Sequence, residues 1–167
     1  GVKSFTDAQG NFLSKKDIGS ASLDMKEVYD EWKAQIERYI QVFGHIPTHL
    51  DSHHSVHDLN ENHRAVALKL GEEYGLHTRR YGPYEFIPGF YGSAATKEHL
   101  LEILHENREK DIEIMTHPGF CDLELYRASS YSTQRVRELD VLCSQEILEY
   151  VEKHQIQLTH YEPMENS

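Results

Sequence analysis

The strongest constraint on the fold is an alternation along the chain. Segments with apolar residues at helical spacing are each followed by a short run of strand type. Val28, Trp32, Ile36, Tyr39, Ile40 and Phe43 recur every three or four positions and predict a helix with one apolar face. Asp24 and Glu27 have capping-box spacing at its start, and Gly44 is a natural stop. Pro47 forbids continuation, so 48–51 reads as a short strand. A second helix is predicted from about Asn60 to Tyr74, ended by Gly75, with a strand over 76–80. Thr96 caps a third helix containing Leu100, Leu101, Ile103 and Leu104, and a strand runs from Ile112 to about Thr116. Ser144 caps a last helix through Ile147, Leu148 and Val151, and Ile156 and Leu158 mark a terminal strand. Residues 1–21 and 81–93 read as loops, and 117–134 as a long polar segment. Such alternation requires parallel strands joined by crossover helices, so the predicted class is α/β, as an open sheet or a barrel.

Length and charge narrow the function. The 167 residues suit one domain and fall short of the roughly 250 of a complete α/β barrel. Gly1 in place of a starting Met suggests a piece of a longer protein. The net charge of −11, with no compensating Lys/Arg stripe, argues against nucleic acid as a partner. No apolar run approaches the roughly 18 residues of a membrane span, so no membrane partner is expected. Two cysteines, Cys121 and Cys143, are too few for a disulfide framework and indicate a reducing, cytoplasmic compartment.

In α/β folds ligands gather beyond the carboxyl ends of the strands, where three predicted strand ends place ionisable groups. The first carries Thr48-His49-Leu50-Asp51-Ser52-His53-His54-Ser55-Val56-His57. A single histidine is by default a surface or hydrogen-bonded core residue, but this density of imidazole and carboxylate suits a divalent cation. His53 is the first choice as ligand, and His57, four residues on, shares its face if the loop turns helically. Arg79 and Arg80 end the second strand; they bind a substrate anion or hydroxyl, or else neutralise the domain's excess acid. His117, in Met115-Thr116-His117-Pro118-Gly119-Phe120, ends the third. It serves either as a general acid for a leaving amine or as a loop residue bonded to backbone. Tyr91 and its aromatic neighbours in 81–93 stack on a sugar or pack half-buried. No phosphate loop, nucleophile elbow or cysteine pair is present.

At 48–57 the sequence closely resembles the YdjC-like (ChbG-type) carbohydrate deacetylase family, whose usual run is Thr-His-Leu-Asp-Ser-His-His-His-Val-His. The likeness continues through Ile114–Phe120, through Ser130-Tyr131 to Leu142, and into the closing strand. It implies a NodB-related β/α barrel of the glycoside hydrolase/deacetylase type. It also implies divalent-metal hydrolysis, with Mg2+ or Zn2+, of an N-acetyl group from a small amino sugar or chitooligosaccharide, in some cases phosphorylated. By position His53 matches the metal-ligating histidine and His117 the general acid, while Ser55 replaces the third histidine of the run. Family members open with an Asp-Asp strand end and a Gly-x-His motif, and neither occurs here. Residues 1–167 are therefore expected to be one catalytic domain forming the C-terminal two-thirds of such a barrel, its N-terminal strands absent and the piece inactive alone. An exposed edge strand would favour a homodimer. The rival readings are a non-catalytic metal- or sugar-binding domain and a metal-dependent phosphoesterase. Arg79, Arg80 and Tyr91 are the candidate substrate contacts.

Overall fold

Helix α1 (Lys15–Ser20) and helix α2 (Met25–Phe43) open the structure, a computed structural model that describes residues 2–164. The first of these lies in a stretch read from sequence as loop. It is a six-residue helix, too short for its apolar pattern to register. Helix α2 starts where Asp24 accepts the Lys26 N–H at 2.9 Å and stops at Gly44, whose φ of 74° needs no side chain. The expected capping box does not form. Glu27 instead accepts the Lys3 and Ser4 N–H groups at 2.8 and 2.6 Å, fastening the preceding segment to the helix.

The chain divides into two compact units, Pro83–Thr159 and the remainder on either side of it. In the first unit α2 packs on α3 (Glu61–Tyr74), burying Val28, Ile36, Ala67 and Leu70. Asn60 caps α3 by accepting the Asn62 and His63 N–H groups, and also bonds His63 Nδ1 at 2.9 Å. Strands β1 (His49–Leu50) and β2 (His77–Thr78) pair in parallel, His49 opposite His77, and the Arg79 N–H adds a bond to Leu50 O at 2.8 Å. Helix α3 approaches β2 so closely that a Cβ on Gly71 would lie 2.7 Å from Leu76 O and 3.0 Å from Thr78 Oγ1.

The second unit pairs β3 (Glu85–Ile87) with β4 (Ile112–Ile114), again in parallel. Strand β3 falls in the stretch expected to be loop, where the three strand residues among the four between Pro83 and Pro88 carry no readable periodicity. Helices α4 (Lys97–Glu106), α5 (Leu123–Ala128), α6 (Thr133–Leu142) and α7 (Gln145–Lys153) follow. The core holds Phe90, Ala95, Leu100, Ile103, Val141 and Ile147. Helix α5 lies within the segment read as polar, and α6 begins there. The buried residues of α6 include a glutamate, Glu138, which breaks the apolar pattern.

The expected terminal strand is absent: Ile156 N–H closes α7 on Val151 O, and Leu158 is 85% exposed. Residues 160–164 belong to the first unit, where Tyr161 stacks on His49 at 4.5 Å and Met164 N–H bonds Gly75 O at 2.7 Å. The parallel pairs joined through helices are α/β; among the described residues no closed barrel is formed. Among them, too, no helix is long and apolar enough to cross a membrane.

Two stability predictions follow from this packing. Gly71→Ala gains about 1 kcal/mol of helix propensity but forces Cβ onto backbone, so urea denaturation should show a net loss of about 1–3 kcal/mol. His63 is 2% exposed, and burial pushes its pKa down, so the fold holds it neutral. Its contribution is complete above the ordinary histidine value of about 6.5 and declines as pH falls below it, because the unfolded chain takes up the proton first. Unfolding free energies between pH 7.5 and 5 should therefore fall, and fall less steeply in His63→Leu.

Candidate functional site

Beyond β1 the chain turns through Asp51 and Ser52 into two short 3-10 turns spanning His53–Asp58. They meet at a kink where His54 and Ser55 both adopt φ of 55°, a left-handed conformation costing on the order of 1–3 kcal/mol for each such residue. Ser52 compensates locally. Its carbonyl accepts the Ser55 N–H at 3.0 Å, and its hydroxyl accepts the His57 N–H at 2.9 Å while bonding His57 Nδ1 at 2.7 Å. The kink thereby turns His57 inward, 3% exposed, with Nε2 buried and unbonded. Burial pushes the His57 pKa down, against the opposing charge of Asp51, whose Oδ1 lies 3.8 Å from Nδ1.

His53 and His57 line one pocket of about 360 Å³ together with Asp51, His49, Trp32 and Tyr39. His54 stands edge-on to His53 at 4.0 Å and is not part of the lining. The histidine-rich run thus delivers two of its later imidazoles to a common cavity. Among the described residues no three His, Cys, Asp or Glu side chains converge as a ready metal cage. Asp51 accepts a hydrogen bond from Arg79 at 2.8 Å, and Arg80, at φ 70°, pairs with Asp58 at 3.3 Å. Arg64 and the Tyr81 hydroxyl also donate to Asp58. Burial works to raise the Asp58 pKa, and these three donors outweigh it, holding the carboxyl below its usual range. Both arginines therefore engage carboxylates, one of the two roles that the sequence left open.

In the second unit His117 lies three residues past the end of β4. Its backbone N–H donates to Glu138, and its Nδ1 is buried without a partner. The rings of Tyr91 and Tyr131 stack on each other at 4.4 Å and each meets the His117 ring edge-on, at 5.6 and 5.5 Å. Tyr131 donates to the second oxygen of Glu138 and accepts the Gly92 N–H at 2.9 Å. Burial, then the bond to Glu138, pushes the Tyr131 pKa up to about 12, so the hydroxyl keeps its proton. Tyr91 is 48% exposed beside His117. Glu138 and Tyr131 lie in the stretch Ser130-Tyr131 to Leu142 that carries the family likeness, but no role was assigned to either from sequence. A charged residue on the inner face of a helix was a further signal, readable only once that helix is recognised.

The family model described as YdjC-like protein matches residues 1–153. A protein named carbohydrate deacetylase from Clostridium beijerinckii is 33% identical, over 96% of this chain and 70% of its own length. One of the same name from Enterococcus faecalis is 33% identical over 98% and 69%. A crystal structure of a candidate cellobiose-phosphate cleavage protein from Enterococcus faecalis superposes with a TM-score of 0.85 at 33% identity, covering 96% of this chain and 68% of that one. Both histidine motifs lie inside the residues matched by the family model, and the chain belongs to the YdjC-like family.

Proposed function

We propose that the protein is a metal-dependent carbohydrate deacetylase that hydrolyses the N-acetyl group of an amino sugar. The observation that carries this reading is the state of His57: a buried neutral imidazole, Nδ1 held by Ser52 and Nε2 unbonded, in a pocket shared with His53. Metal-ligating histidines have this form, one nitrogen fixed by a partner and the other offering its lone pair. The donor chemistry fits a divalent cation held by His53 and His57, with ligands beyond this pair, since catalytic zinc sites use three protein donors. Imidazole favours zinc-type cations over magnesium, whose sites are richer in oxygen. When bound, such an ion lowers the pKa of a coordinated water and polarises a carbonyl.

The chain's own residues supply the rest. His117 donates a proton from its imidazole to the departing amine nitrogen, without which an amide does not expel its leaving group readily. The exposed part of the Tyr91 ring, backed by Tyr131, offers a sugar a flat apolar surface. Arg79 and Arg80, whose side chains remain 23% and 27% exposed, are the contacts for a phosphate or hydroxyl on the substrate. The names of the relatives support a carbohydrate substrate, and that of the solved neighbour supports a phosphorylated one.

Two measurements test this reading. Calorimetric titration with Zn2+ and Mg2+ should show affinity reduced in His57→Ala and His53→Ala by at least the roughly 10–100-fold that loss of an outer-shell partner costs, and unchanged in His117→Ala. In a chain that also carries the Asp-Asp and Gly-x-His motifs, acetate release from N-acetylated chitooligosaccharides should fall about 100–10,000-fold in His117→Ala. Undiminished metal affinity in both pocket variants, or release of phosphate in place of acetate, would overturn the assignment.

A further inference from the structure

The only residue of the second unit that combines a negative charge with zero exposure is, among the described residues, Glu138 on α6. A carboxylate is costly to bury, and it is tolerated where donors meet its oxygens. Here one oxygen takes the His117 backbone N–H and the other the Tyr131 hydroxyl. These two donors belong to the segments that surround the His117 ring: one is His117 itself, the other the inner member of the Tyr91–Tyr131 stack. Further bonds tie the same strand-end loop to the start of α6. Gly119 N–H donates to Arg135 O at 3.2 Å, and Arg135 Nε donates to Tyr131 O at 2.9 Å. The Gly92 N–H on the Tyr131 oxygen adds the segment next to Tyr91 to the network.

We infer that Glu138 is a positioning residue for His117, a single buried carboxylate that sets both the backbone of the histidine and the aromatic wall against which its ring stands. The inference rests on the proposed role of His117 for its link to activity, but not for the geometry itself. Glu138 touches no substrate; it acts by holding the imidazole where Nδ1 is enclosed. A core of ordinary apolar packing would fill the volume without setting the His117 backbone or the Tyr131 ring beside it, whereas two hydrogen bonds accepted by one carboxylate fix both. Tyr131, its hydroxyl kept protonated, remains a donor across the range in which histidine titrates.

The test uses Glu138→Gln, which keeps the shape but has one acceptor oxygen for two donors, and Tyr131→Phe, which keeps the ring stack and removes one donor. Carbon–proton NMR correlations of the His117 ring, assigned through their loss in His117→Gln, report its position against the two tyrosine rings. Glu138→Gln should displace these signals strongly and Tyr131→Phe weakly, with thermal melts still cooperative. In deacetylation by a chain that also carries the Asp-Asp and Gly-x-His motifs, Glu138→Gln should lower kcat on the order of 100-fold with KM unchanged. Glu138→Gln that folds and leaves both the His117 signals and kcat as in the parent would overturn the inference. Should that variant fail to fold, Tyr131→Phe decides in the same way: displaced signals support the inference, unmoved ones overturn it. Displaced His117 signals in Glu138→Gln, alongside full activity in His117→Ala, would reject the acid role of His117 and leave the positioning role standing.

Discussion

Strands of two or three residues cannot hold a parallel arrangement together by their own ladders, so in this protein the helices must press onto them. The close approach of α3 to β2 at Gly71 is where this is most visible. Any side chain there would meet the carbonyl of Leu76, and the strand that carries Thr78 and leads to Arg79 would move away. Leu70, Leu76 and Thr78, each at most 2% exposed, are buried because that contact is tight. The position of β1 depends in turn on β2, and with it the start of the loop that turns His57 inward. One missing Cβ therefore supports the geometry of the pocket.

The two histidine segments are controlled by the same physical means, a polar group placed where an apolar residue would pack as well. Ser52 uses one hydroxyl to satisfy the His57 backbone and engage its ring, which stabilises a kink with two left-handed residues. Glu138 uses two carboxylate oxygens to hold His117 and Tyr131. Ser52 bonds the imidazole itself, whereas Glu138 holds the backbone of His117 and the tyrosine beside its ring. Hydrogen bonds in a water-poor setting select one arrangement, at the cost of desolvating the group that accepts them.

The long amphipathic helices were legible because packing there follows spacing. The face through Val28 and Ile36, the Asp24 cap and the Gly44 stop each act locally, on residues a few positions away. Strand β3 and helix α6 were not legible, for different reasons. A strand of three residues is too short for a period to appear, and α6 turns Glu138 inward, so its sequence reads as solvated. The tail near Leu158 looked like a strand because strand propensity is also carried by apolar residues that end up exposed. For the site, residue types were readable and partners were not. Arg79 and Arg80 are cations in the sequence either way; that each meets a carboxylate depends on where β1 and the turn after it lie.

The sequence by itself determined the α/β alternation, the family motifs and the two histidine segments, since these depend on local spacing and residue chemistry. Tertiary structure alone decided which histidines share a pocket, that Ser52 orients one of them, and that a buried glutamate stands behind the other. Those outcomes require residues far apart in the chain, or a backbone in an uncommon conformation, to be brought together by packing. No periodicity in the amino-acid order encodes that meeting directly.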